Sequence, residues 1–114
     1  MNKLFGIPNC DTIKKAKKWL EANQIEYTFH DYRKNGITHE MVTHFCSELG
    51  WENVLNKRGT TYRQLDDATK ASLNEDVAIK LLVEHPAMIK RPILEKDEQL
   101  HLGFKAETYE SLFS

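Results

Sequence analysis

The order of short segments at the start of the chain restricts its fold more than any other feature. The apolar run KLFGI at residues 3–7, closed by Pro8, has the length and character of a buried strand. Ile13, Ala16 and Leu20 then recur at helical spacing, with Lys14, Lys15, Lys17 and Lys18 expected to face outward and Asn23 expected as a left-handed stop. In IEYTFHDY, Ile25, Tyr27 and Phe29 alternate with polar residues, the pattern of a second strand. Strand, helix and strand within about thirty residues make a βαβ unit, whose strands are expected to pair in parallel with a right-handed crossover.

The middle of the chain reads as mostly helical. KNG is a turn, and Thr38 is placed to cap a helix that carries Val42, Phe45, Cys46 and Leu49 on one face and ends at Gly50. WENVLNKRGTTYRQL reads as a short helix followed by a loop with a basic centre at Lys57, Arg58 and Arg63. Asp66 or Asp67 can start another short helix, and Asn74 caps EDVAIKLLVEH ahead of Pro86. PILEKDEQLHLGF then has the form of two strands joined by a charged turn, an antiparallel hairpin, and KAETYESLFS closes as a helix. The expected class is α/β: a mixed four-stranded sheet with a helical insertion at about 38–85, between the second and third strands. The 114 residues contain no repeat and no Pro/Gly/Ser-rich linker, so a single domain over 1–114 is expected.

Charge and hydropathy exclude some functions. With 16 basic and 17 acidic residues the net charge is -1, no broad footprint for nucleic acid, and the run from Lys14 to Lys18 reads as a solvated helix face. No apolar run approaches the roughly 18 residues of a membrane helix, and no basic-then-apolar leader opens the chain, so a cytoplasmic protein with no membrane partner is expected. The histidines are scattered, and His39 and His44, five residues apart, make an awkward pair on a helix; no metal is expected.

Chemistry is concentrated at Cys10. At the junction of a strand and a helix, its sulfur can lie near unpaired backbone N–H groups and the positive end of the helix dipole, both of which favour thiolate over thiol. Thr12 can add a hydroxyl, and Lys14 or Lys15 a screened positive charge. Cys46 shares an apolar helical face and reads as core. An intramolecular exchange at the helix start would need a second cysteine at position 13, which is Ile13, and Cys46 could resolve Cys10 only if the fold brought them together, which the sequence does not require; the thiolate is expected to rely on an external thiol such as glutathione. Arg91, directly before Pro92, and Arg58, beside Gly59, offer guanidinium forks suited to an oxyanion or carboxylate.

GIPNCDT, NKRGTTYRQL and IKRPIL, three blocks in order along the chain, resemble the arsenate reductase (ArsC)/Spx family and most closely its YffB-type branch. The resemblance implies a thioredoxin-like fold with a helical insertion. It implies that Cys10 is the redox nucleophile, that Arg58 and Arg91 bind an anion, that Pro92 is a cis-proline beside the site, and that the protein depends on glutathione or glutaredoxin as co-substrate with no bound cofactor. Arsenate reductases of the family carry a histidine four residues before the cysteine and an arginine four after it, where this chain has Gly6 and Lys14; a third family arginine corresponds to Lys105. Lysine keeps the charge but loses the bidentate fork, which argues against arsenate as the physiological substrate. Spx-type regulators commonly carry a C-x-x-C switch, which Ile13 rules out.

The expected activity is therefore that of a thiol-dependent oxidoreductase, acting as a monomer on a small oxyanion or a mixed disulfide. Cys10 is its nucleophile, and Asn9, Asp11, Thr12, Arg58, Arg91 and Lys105 are its candidate anion-binding set. The rival is a non-catalytic interaction module of Spx type that keeps the fold and docks on a partner through its basic loop.

Overall fold

The computed structural model describes residues 2–114, which fall into two compact units: the segment up to Asn35 together with Arg91–Ser114, and Gly36–Lys90. The first unit holds the sheet. β1 (Lys3–Gly6), α1 (Asp11–Ala22) and β2 (Thr28–Asp31) form the βαβ unit, with β1 and β2 parallel and Gly6 opposite Asp31. β3 (Ile93–Lys96) and β4 (Gln99–Leu102) form the hairpin, and β3 runs antiparallel to β1 with Ile93 opposite Phe5. The strand order is β2-β1-β3-β4, so β1 is internal, and its C-terminal end emerges beside the start of β3.

Helical spacing explains how α1 docks. Ile13, Ala16 and Leu20 are fully buried, and Ala16 and Leu20 join Leu4, Leu94 and Tyr109 in one core cluster. Tyr109 comes from the last helix, α7 (Ala106–Leu112), and meets the rings of Trp19 and Phe104 edge-on at 5.6 and 4.7 Å. Each fully buried large aliphatic side chain here contributes about 1.5–3 kcal/mol relative to exposure.

Several local expectations are corrected. Lys17 is half-buried, with its Nζ 3.7 Å from the Phe29 ring centre, because a lysine stem can lie along apolar surface while its ammonium meets a ring face. The left-handed residue after α1 is Gln24 (φ 56°), not Asn23, whose φ is −97° and whose side-chain amide donates instead to the Trp19 carbonyl. β2 starts only at Thr28, although Ile25 and Tyr27 pack against the core as the alternation implied. The hairpin turn places Asp97 and Glu98 both at positive φ, 52° and 67°, as a two-residue turn matched to strand twist requires.

The second unit is helical. α2 (His39–Leu49) is capped by the Thr38 hydroxyl, which accepts from the Met41 N–H at 3.1 Å, and it ends at Gly50, whose φ of 87° suits a residue without Cβ. Val42, Phe45 and Cys46 are buried on the face of α2 that packs on α6 (Glu75–Glu84), itself capped by Asn74 through the Val77 N–H at 2.9 Å. Between them run α3 (Trp51–Val54), α4 (Thr60–Arg63) and α5 (Asp67–Ala71), the last capped by Asp66. The stretch read as a loop after α3 thus contains a helical turn, α4. A 3-10 turn at Pro86–Met88 follows α6, and a β-bridge between Leu55 and Ile89 ties the end of the unit to its middle, a pairing too short to leave a sequence pattern.

Candidate active site

Topology brings the chemistry together at the C-terminal end of β1. The chain leaves the sheet through Ile7, Pro8 and Asn9 and enters α1 with Cys10 as the N-cap residue (φ −112°, ψ 128°). The first intrahelical bond runs from the Lys14 N–H to the Cys10 carbonyl at 3.0 Å, which leaves the N–H groups ahead of it without helical partners. Arg91 arrives from the other side because β3 is antiparallel to β1: the residues just before Ile93 lie next to the residues just after Phe5. The Arg91–Pro92 peptide bond is cis, and the Pro92 carbonyl accepts from the Gly103 N–H at 2.8 Å.

The Cys10 thiol is partly exposed. Burial pushes its pKa up, but other effects outweigh this and hold it below the ordinary value: the backbone N–H of Ile13, a hydrogen bond from the Arg91 side chain, the N–H of Thr12 and the Arg91 charge. The sulfur closes no capping hydrogen bond as a neutral thiol, a weak acceptor. The donors around it act on the thiolate, which is the nucleophilic form. Cys46 shows the opposite: burial in the α2 core, reinforced by the charge of Glu75, pushes it up to about 11.

The other candidates spread out. Asn9 and Asp11 are exposed and Thr12 half-buried at the start of α1. The carboxylate of Asp11 only accepts hydrogen bonds, so it can serve an anion solely through its backbone N–H. Lys105 is the exposed N-cap residue of α7, in the same unit as Cys10. Arg58 belongs to the other unit; it is exposed between α3 and α4, its N–H donating to Asn56 Oδ1 at 3.0 Å.

Sequence reasoning passed over Tyr32. It is 2% exposed and follows β2, and its N–H donates to the Gly6 carbonyl at 3.0 Å. Its ring lies over Phe5 and against His30, at 6.5 and 6.0 Å between ring centres. Its hydroxyl is buried without a hydrogen-bond partner and its pKa is raised by burial, with the charge of Arg91 opposing. The only available signal was a tyrosine just past an alternating strand, which has the same pattern as an ordinary packing residue.

A cleft of about 800 Å³ lined by Asn2, Ile25, Glu26, Tyr27 and Thr28 contains neither cysteine and lies at the opposite, N-terminal end of β1 and β2. Among the described residues, no cluster of three or more His, Cys, Asp or Glu side chains is placed to hold a metal, and no helix is long and apolar enough to cross a membrane.

Comparison with known proteins shows the family and the fold. The ArsC family model matches residues 5–112. The solved structure of the YFFB protein superimposes with a TM-score of 0.95 at 46% identity, covering 100% of both chains. That of an arsenate reductase (ArsC) related protein from Brucella melitensis gives a TM-score of 0.80 at 43% identity over 99% of this chain and 94% of that one. The chain is also 35% identical to the global transcriptional regulator Spx 2 of Bacillus anthracis, over 91% of this chain and 80% of the regulator.

Proposed function

Because the chain belongs to the ArsC family, in its YffB-type branch with a thioredoxin-like fold, we propose that it is a thiol oxidoreductase that uses Cys10 and glutathione to reduce mixed disulfides. The observation that carries this reading is the environment of Cys10: a partly exposed thiol at a helix start, with backbone N–H groups and the Arg91 side chain holding its pKa down. The thiolate attacks the glutathionyl sulfur of a mixed disulfide; a Cys10–glutathione disulfide forms, the substrate S–S bond breaks, and the departing thiolate takes the electron pair and then a proton from water. A second glutathione, as thiolate, attacks the adduct, releasing oxidised glutathione and the Cys10 thiolate. One mixed disulfide and one glutathione thus become one thiol and one oxidised glutathione. Arg91 favours the anionic sulfur at both steps, and Lys105 offers a cation for a glutathione carboxylate.

The identity to Spx 2 supports a second reading, a regulatory module that docks on a partner without turnover. The mixed disulfide of cysteine and glutathione, assayed with glutathione and coupled glutathione reductase, separates the two. Turnover with a glutathione adduct trapped on Cys10 is expected. Absence of both would contradict the reductase and leave the regulatory reading.

A further inference from the structure

Gly6 and Ile13 look unrelated in the sequence, one standing where family arsenate reductases carry histidine and the other where a C-x-x-C would place its second cysteine. In the fold they are one contact. Ile13 is fully buried, and a Cβ added to Gly6 would overlap the Ile13 Cδ1, stand 3.0 Å from its Cγ1 and lie 3.7 Å from the Arg91 Cβ. The φ of Gly6 is not positive, so this position needs empty space rather than unusual backbone freedom.

We propose that Gly6 and Ile13 are a positioning pair for Cys10: the missing side chain at Gly6 is the seat on which Ile13 holds the first turn of α1 against β1. Neither backbone can easily retreat. Gly6 is fixed in the sheet opposite Asp31, and its carbonyl is held by the Tyr32 N–H. Ile13 sits in the first turn of a twelve-residue helix whose next buried positions, Ala16 and Leu20, are locked in the core. A methyl group at position 6 overlaps the Ile13 Cδ1 and crowds its Cγ1 while making only ordinary contact with the Arg91 Cβ, so whatever the buried Ile13 side chain does not relieve by swinging aside passes to the helix start, and the group displaced is one that faces the sulfur, the N–H of Ile13. The inference rests on Cys10 being the nucleophile and adds what aims the donors at it.

Peptide-resolved alkylation of Cys10 against pH tests the pair. Gly6→Ala is expected to move the apparent thiol pKa up by about one unit. Adding Ile13→Val, which removes the Cδ1 methyl, is expected to return it most of the way to the wild-type value. A folded Gly6→Ala variant with an unchanged pKa, or a double variant that stays raised, would overturn the pair while leaving the nucleophile intact. An ordinary pKa in the wild type would overturn both. Should Gly6→Ala fail to fold, the double variant decides alone: a folded protein with a lowered thiol pKa supports the pair, and a raised one contradicts it.

Discussion

Replacing Cys10 with serine is expected to abolish turnover of the mixed disulfide, a loss on the order of a thousandfold or more, as removal of a covalent nucleophile generally produces. The loss is chemical and not structural. Cys10 is partly exposed and its thiol closes no capping hydrogen bond, whereas serine is among the best N-cap residues. The stability of Cys10→Ser in a urea titration should therefore equal or exceed that of the wild type. Cys46 cannot take over, because a buried thiol with a pKa of about 11 supplies almost no thiolate near neutrality. A folded Cys10→Ser variant that still turned over substrate would contradict the mechanism.

Arg91→Ala carries the second large effect. Its guanidinium lowers the thiol pKa through a hydrogen bond and through charge, and a hydrogen bond to a charged group is worth about 1.5–3 kcal/mol, so turnover below neutral pH should fall about ten- to a hundredfold. The direction with pH follows from the active form. Thiolate does the work, so the rate rises with pH to a plateau, and a lowered pKa brings that plateau to lower pH. Removing Arg91 shifts the midpoint to higher pH, and part of the lost rate returns in alkaline buffer. Arg91→Lys should fall between, because it keeps the charge and loses the planar fork. A pH–rate profile of Arg91→Ala that coincided with the wild type would show that Arg91 does not act on the sulfur.

The parts of the fold visible in the sequence are those where one local rule dominates. Thr38 and Asn74 announce helix starts through short side chains that satisfy free N–H groups, and each caps as expected, while of the two candidates Asp66 and Asp67 it is Asp66 that caps. Ile13, Ala16 and Leu20 mark the buried face of α1 through spacing alone. Where two local tendencies compete, the pattern is silent. Lys17 is a lysine by type but an apolar stem by position, and the stop after α1 passes to Gln24 because the Asn23 amide bonds back to the helix.

The candidate site divides in the same way. Cys10 is legible because a thiol at a strand–helix junction is a local feature, but its partnership with Arg91 depends on β3 running antiparallel to β1, a contact across eighty residues of chain. The contact between Gly6 and Ile13 is hidden for a different reason: it depends on the absence of a side chain, and sequence patterns record what is present. Arg58 sits in the helical unit and Cys10 in the sheet unit, each described by its own surroundings.

The rate of alkylation of Cys10 as a function of pH in the unmodified protein, read by peptide mapping so that Cys46 is scored separately, tests the central claim most directly. The expected midpoint lies below the ordinary thiol value of about 8.5, with Cys46 unlabelled across the same range. A midpoint at or above that value would mean that the helix start and Arg91 do not stabilise a thiolate, and would contradict the assignment of Cys10 as an activated nucleophile.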